Sequence, residues 1–278
     1  KRTMGSDETV RLGQQEYTPQ EISAILLRTL KARAEKALGC PVGKAVITVP
    51  AFFNETQREA TREAGVLAGL EVVRIINEPT AASLTYEPHP DKMERLLVYD
   101  LGGGTFDVSI VQIEQGVVEV LASHGDTHLG GDDFDQLLLD WVSEGFARQH
   151  GLDPRESLVS RSRLLRAVEE AKKTLSRDPL ARLQEEFIAE KDGTPLHLDQ
   201  EVRRNDFEDL IEPLLARTLR CDDESLSDAG VNARQIDKVV LVGEASRMPM
   251  VHHLLEEQLG KFRKTKLSLT NNGVSANT

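Results

Sequence analysis

A run of glycines between two aspartates is the segment of this sequence best suited to chemistry. It reads Asp100-Leu-Gly-Gly-Gly-Thr-Phe-Asp107. Glycines have no β-carbon, so their backbone N–H groups can close on an oxyanion, and the hydroxyl of Thr105 adds a donor. The flanking carboxylates are hard oxygen ligands that suit hydrated Mg²⁺ beside a phosphate. Three successive glycines exceed what a hairpin needs, so the pattern favours a phosphate-binding loop over a glycine-rich turn.

A second glycine pair, Gly130-Gly131, precedes a helical pattern in the segment GDTHLGGDD. The free N–H groups at the start of a helix are also suited to a phosphate. Gly-Gly before Asp is also ordinary chemistry for entering a helix. Taken alone, this segment is weak evidence for a phosphate site and favours the helix-entry interpretation.

Two further sets of polar side chains are candidates. Glu78, in Asn-Glu-Pro-Thr, lies between a strand pattern and a helix pattern. Its carboxylate either orients a water molecule at the rim of a cleft or stabilises the start of the helix. One face of a later helix carries residues at i, i+3, i+4 and i+7, namely Glu169, Lys172, Lys173 and Ser176. Without other information, a salt-bridged face in contact with solvent is the commoner meaning of that pattern.

Composition excludes several classes of function. The 34 Lys and Arg residues against 46 Asp and Glu give a net charge of −12, with no basic stripe, which argues against a nucleic-acid partner. No apolar run reaches the roughly 18 residues of a spanning helix, so we expect no membrane partner. Two distant cysteines indicate a reducing compartment, the cytoplasm or an organelle matrix. No G-x-S-x-G or H-E-x-x-H motif occurs, which removes hydrolase-triad and zinc interpretations.

Strand and helix patterns alternate along the chain, which predicts an α/β fold with a parallel or mixed sheet covered by helices. Capping boxes open helices at Thr18 and Asn54. We expect a β-meander at 95–124, and a kink or break at Pro213 in a helix near 207–219. The other predicted elements are strands at 44–49, 71–76 and 238–242, helices at 133–150, 160–177 and 250–259, and a hairpin centred on 191–194.

In this order, VITVPAFFNETQREAT, IINEPTAASL, VYDLGGGTFDVSI, GDTHLGGDDFD, AVEEAKKTLS and VVLVG-x-x-SRMP resemble the nucleotide-binding domain of DnaK-type heat-shock chaperones. The match runs from Lys1 to about residue 260. It implies an actin-like ATPase fold with ribonuclease-H-like sheets, in which two lobes close over ATP. The implied division is a partial first lobe at 1–95 and a second lobe at 96–278. Within the latter, 130–211 would be a helical and hairpin subdomain, and 212–262 would return to the central sheet. Residues 263–278 show no clear period, and we expect them to form a disordered tail.

The resemblance also implies a role for each matching residue. ATP or ADP would be bound through its β- and γ-phosphates by Gly102, Gly103, Gly104 and Thr105, with Gly130 and Gly131 closing from the same lobe. Asp100 and Asp107 would hold Mg²⁺ through water. Catalysis would depend on Lys1, Glu78, Asp100 and Thr105, with Glu78 orienting the attacking water and Lys1 stabilising the transferring phosphoryl group. Adenosine would contact Glu169, Lys172, Lys173 and Ser176, with Gly243 and Arg247 opposite. Pro50 and Arg58 would relay the nucleotide state to a peptide-binding domain.

The sequence departs from the family pattern in ways that affect activity. No copy of a first phosphate hairpin of the type Asp-Leu-Gly-Thr-Thr occurs, and Glu244 replaces a glycine where it would crowd an adenosine phosphate. We also expect no peptide-binding domain within these residues. We therefore expect a fragment, or a truncated gene product, with impaired hydrolysis, since each lost donor costs about 2.7 to 4 kcal/mol.

The partners that the resemblance implies are a J-domain cochaperone and a nucleotide-exchange factor. One alternative is a non-catalytic module that docks nucleotide or cochaperones. A further alternative is a sugar kinase of the same fold.

Overall fold

The computed structural model describes residues 1–84 and 92–259 and the backbone of Ser268–Leu269. The helices are α1 (Pro19–Leu38), α2 (Glu55–Leu67), α3 (Glu78–Ser83), α4 (Gly131–His150), α5 (Leu158–Leu175), α6 (Arg204–Asp228) and α7 (Pro249–Gln258). The strands are β1 (Val10–Leu12), β2 (Gln15–Tyr17), β3 (Lys44–Val49), β4 (Glu71–Asn77), β5 (Glu94–Leu101), β6 (Phe106–Glu114), β7 (Val117–Asp126), β8 (Leu180–Lys191), β9 (Thr194–Arg203), β10 (Lys238–Val242) and β11 (Ser268–Leu269). None of the helices in these ranges combines the length and apolarity needed to cross a bilayer.

A five-stranded mixed sheet forms the centre of the fold, in the order β11-β10-β5-β6-β7. Strands β5, β6 and β7 form the predicted antiparallel meander, whereas β10 runs parallel to β5. Side chains alternate between the two faces, as a strand requires. Leu97 and Tyr99 face a large core formed with α4, α5, α6 and α7, and Leu96 and Val98 face a smaller core that Ala82 of α3 completes.

The first part of the chain forms a smaller layer. Strands β3 and β4 pair in parallel, and α1 and α2 pack together beside them. Both predicted capping boxes are confirmed, because Thr18 accepts from Glu21 N and Asn54 accepts from Gln57 N. A β-carbon on Gly65 of α2 would lie 2.9 Å from the side chain of Ile47, so glycine lets α2 approach β3 closely.

The predicted hairpin at 191–194 is confirmed as the turn between β8 and β9. Asp192 and Gly193 have φ angles of 51° and 76°. Positive φ at both central residues is what a type I′ turn needs, and Asp-Gly is a favoured pair for it.

Of the kink or break predicted at Pro213, the break is wrong, because α6 continues from Arg204 to Asp228. Ile211 and Leu215, on either side of the proline, are completely buried in the large core. Their packing outweighs the hydrogen bond that proline removes. The expected disordered tail lies outside the described residues except for Ser268–Leu269, which form β11 and pair with β10.

Candidate functional site

The glycine run forms the turn between β5 and β6. Gly102 N–H donates to the carbonyl of Thr105 at 3.1 Å, which closes the turn. On the strands that enter and leave it, Asp100 and Asp107 lie directly opposite each other in register. Opposed residues of an antiparallel pair project to the same face, so both carboxylates lie beside the turn.

The carbonyl groups of this turn are all held from one side. Gly131 N–H donates to Gly102 O at 2.9 Å, and Asp132 N–H donates to Gly103 O at 2.8 Å. The third carbonyl, Gly104 O, accepts from Arg2 Nε at 2.7 Å. The start of α4 and one arginine therefore fix three consecutive peptide groups.

Fixing these carbonyls also fixes the amides. In a planar trans peptide, the C=O of one residue and the N–H of the next point in opposite directions. The N–H groups of Gly103, Gly104 and Thr105 therefore point away from α4, and none has a hydrogen-bond partner within the described residues. Successive free amides of this kind form a concave anion-binding site.

Close backbone approaches explain why glycine occupies two supporting positions. A β-carbon on Gly130 would lie 2.7 Å from Gly104 N, and one on Gly243 would lie 2.9 Å from Gly102 N. Gly243 also has φ +84°, which disfavours other residues. The amide of Gly131 is engaged by the turn, so its place in the structure is to hold the turn rather than to face an open cleft.

A cluster of carboxylates lies beside the turn. Lys1 Nζ contacts Glu78 Oε1 at 2.6 Å, and Glu78 Oε2 is buried with no partner in the described part of the chain. Burial, with the negative charge of Glu78, raises the pKa of Asp100 to about 6. Burial and the charges of Glu78 and Asp100 raise the pKa of Asp107 to about 7. Three carboxylates share one ammonium group, so the cluster favours binding of a cation.

The donor set suits Mg²⁺ held mainly through water. No group of three or more His, Cys, Asp or Glu side chains in residues 1–84 and 92–259 is placed to bind a metal ion directly. Mg²⁺ dehydrates reluctantly and usually keeps several waters, and proteins commonly bind it through one or two carboxylates together with substrate phosphates.

The four residues on one face of α5 have different partners. Lys172 Nζ donates to Gly131 O at 3.0 Å and to Asp135 Oδ2 at 2.7 Å, so it braces α5 against the start of α4. Lys173 is half exposed and pairs with Glu169 at 2.9 Å. Ser176 Oγ donates to Lys172 O at 3.1 Å. This face of α5 therefore combines a partly buried lysine that contacts the start of α4 with an exposed ion pair.

Glu244 and Arg247 lie together beyond Gly243. The Glu244 side chain is 79% exposed, and its Oε2 lies 3.5 Å from Arg247 Nε. The carboxylate is thus turned towards solvent and towards a cation.

The loop after Pro50 is connected to the carboxylate cluster through Arg58. Arg58 Nε donates to Phe53 O at 2.9 Å, and its Nη2 donates to Asn77 Oδ1 at 2.8 Å. Asn77 immediately precedes Glu78. A displacement of the loop would therefore act on the residue next to Glu78.

Sequence reasoning missed Arg2, Asp132, Asp133 and Asp135, which hold the turn and the start of α4. The available signals were the position of Arg2 beside Lys1 and the positions of Asp132 and Asp133 directly after the glycine pair.

A family model described as Hsp70 protein matches residues 4–272. The chain belongs to the Hsp70 family. Among similar proteins, the chaperone protein DnaK of Thermotoga maritima is 51% identical over 263 residues, and that of Thermosipho africanus is 49% identical over 262 residues. Each alignment covers 94% of this chain and 44% of the relative. The chain thus spans less than half the length of the curated relatives it matches.

Membership of the Hsp70 family confirms the predicted resemblance and the fold class. The ATPase domain of Hsp70 proteins has the actin-like α/β fold, and the mixed sheet with helices on its faces agrees with it. The glycine turn and Glu78 lie in segments on which the resemblance rests.

Proposed function

We propose that this chain binds ATP and ADP with Mg²⁺ and is the ATP-hydrolysing part of an Hsp70 chaperone. The proposal rests on the row of free amides at Gly103, Gly104 and Thr105. Their orientation is fixed because the carbonyl group of each preceding residue accepts a hydrogen bond. A row of N–H groups that needs no reorganisation is suited to the β- and γ-phosphates of a nucleotide. The 51% identity to DnaK supports the same nucleotide.

Asp100 and Asp107 are the residues that would hold Mg²⁺, through water. Their raised pKa values mean that the two charges are costly without a cation. When bound, the ion would offset the charge of the phosphates. Thr105, which is 7% exposed, adds a hydroxyl at the end of the amide row.

Glu78 and Lys1 would carry the hydrolytic step. Lys1 holds Glu78 Oε1, and the Glu78 carboxylate would accept a hydrogen bond from the attacking water and orient it. The same ammonium group would stabilise charge on the transferring phosphoryl group. We assign adenosine to the surface formed by Glu169, Lys173 and Ser176 of α5, with Gly243 and Arg247 opposite.

The longer protein would couple this site to peptide binding. We propose a J-domain cochaperone and a nucleotide-exchange factor as partners, and the cytoplasm or an organelle matrix as the location. Pro50 and Arg58 would relay the nucleotide state, because Arg58 ties the loop after Pro50 to the residue before Glu78. We retain the division into lobes at 1–95 and 96–278 as part of this proposal.

Calorimetric titration with Mg-ADP and Mg-ATP tests the binding. We expect Asp100→Ala to weaken the binding of both nucleotides, whereas Asp199→Ala, on the β8–β9 hairpin, leaves their binding unchanged. Phosphate release that Glu78→Ala abolishes would support hydrolysis. Binding without phosphate release would favour the alternative of a non-catalytic docking module, and no binding at all would overturn the proposal.

A further inference from the structure

The guanidinium group of Arg2 joins two segments of the candidate site. Its Nε donates to Gly104 O at 2.7 Å, and its Nη2 donates to Asp133 Oδ2 at 2.6 Å. A longer contact of 3.4 Å links Nη1 to Asp133 Oδ1. Arg2 thus connects the last carbonyl of the glycine turn with the first turn of α4.

We propose that Arg2 is a positioning residue that aims the amide of Thr105 at the bound phosphate. The inference rests on the proposed function, because it concerns the same anion site. Gly104 O and Thr105 N–H belong to one planar peptide group, so the direction of the carbonyl determines the direction of the amide. Holding the carbonyl on Arg2 turns the Thr105 N–H to the opposite side.

The backbone amides at the start of α4 do not hold the third carbonyl of the turn, Gly104 O. The amides of Gly131 and Asp132 hold the carbonyls of Gly102 and Gly103. The next amide, Asp133 N–H, donates instead to Gly130 O at 3.1 Å, within the helix. Without a side-chain donor, Gly104 O has no partner from α4. The Asp133 side chain instead binds Arg2, and Arg2 Nε donates the hydrogen bond to Gly104 O.

Arginine suits this place better than lysine. Its planar fork reaches the carbonyl and the carboxylate at the same time, whereas an ammonium group is a single point charge. The Arg2 and Asp133 side chains are 31% and 29% exposed, so their ion pair is screened and contributes little to folding. The expected effect of Arg2 is therefore on the orientation of the turn rather than on global stability.

ADP and AMP binding by Arg2 variants of the 278-residue chain tests the inference. AMP lacks the β-phosphate, so only ADP is expected to depend on the Thr105 amide. Arg2→Ala should weaken ADP binding about tenfold, because one well-oriented donor to a charged group is lost. The affinity for AMP should stay unchanged. Arg2→Lys should recover only part of the ADP affinity. The matched control is Arg11→Ala, since Arg11 Nε donates to Gly13 O at 3.3 Å in the β1–β2 hairpin.

An amide-resolved NMR spectrum without nucleotide supplies an independent readout. Arg2→Ala should shift the Thr105 amide resonance and leave resonances of β8 and β9 in place, which also shows that the variant folds. Equal ADP affinity in wild type and Arg2→Ala, an equal loss for ADP and AMP, or an unmoved Thr105 resonance overturns the inference alone. Failure of the wild type to bind either nucleotide overturns the proposed function together with it.

Discussion

Lowering the pH from about 8 to about 6 should weaken Mg²⁺ binding at Asp100 and Asp107 about 20-fold. The ion needs both carboxylates ionised. With pKa values of about 6 for Asp100 and about 7 for Asp107, both are ionised in about 0.9 of molecules at the higher pH and in about 0.05 at the lower pH. The ratio of these fractions gives the expected change in apparent affinity.

The same pKa values predict the pH dependence of folding without the metal. Both carboxyl groups have higher pKa values in the folded chain than the usual value of 3.8. The folded state therefore binds these protons more tightly, and the stabilisation is present at acid pH and is lost as the pH rises towards about 7. Mg²⁺ should restore stability mainly at the upper end of that range.

Calorimetric titration with Mg²⁺ at constant ionic strength measures the effect. Asp107→Asn removes the group with the higher pKa, so the remaining dependence of affinity on pH should fall to about twofold. Asp199→Asn, on the β8–β9 hairpin, should keep the full dependence. An apparent Mg²⁺ affinity that is constant over this pH range would refute the reasoning from burial and charge.

Three further predictions concern single residues. Asp222 is fully buried and its oxygens have no partner in the described chain, so Asp222→Val should raise the free energy of unfolding in urea by about 1 to 3 kcal/mol at neutral pH. The control Asp223→Val removes only an exposed hydrogen bond from Gln258 and should not raise the free energy of unfolding, and a destabilised Asp222→Val would contradict the prediction. Gly130→Ala should weaken ADP binding, measured by calorimetry, at least about tenfold, because the added β-carbon displaces the glycine turn. The control is Gly43→Ala, and unaltered ADP binding in Gly130→Ala would argue against that packing. Glu78→Gln should slow phosphate release about 100-fold while ADP still binds, and a normal rate would exclude Glu78 as the water-orienting group.

Local features of the fold were predictable from the sequence. The capping boxes at Thr18 and Asn54 and the turn at Asp192-Gly193 depend on residues within a few positions of one another. Their side-chain and backbone preferences act without the rest of the chain, so the pattern alone identifies them.

Features that depend on the packing of distant segments were harder to predict from the sequence. Pro213 predicts a break by its own chemistry, yet the burial of Ile211 and Leu215 keeps α6 continuous. The contact between Arg2 and Gly104 joins residues 102 positions apart. Neither periodicity nor a local motif indicates such a contact, because it arises only when the fold brings the two segments together.

The candidate site was predicted in its residue types but not in its hydrogen bonding. The glycine run indicated an anion site, whereas the sequence did not distinguish which amides are free. The structure engages the amides of Gly102 and Gly131 in holding the turn and leaves those of Gly103, Gly104 and Thr105. That selection depends on how α4 packs against the turn.

A crystal structure of the chain with Mg-ADP bound is the most direct test of the central claim. The account predicts that the backbone nitrogens of Gly103, Gly104 and Thr105 lie about 3 Å from phosphate oxygens, with Arg2 still on the opposite side of the turn. A nucleotide whose phosphates lie elsewhere, with these amides facing solvent or other protein groups, would contradict it.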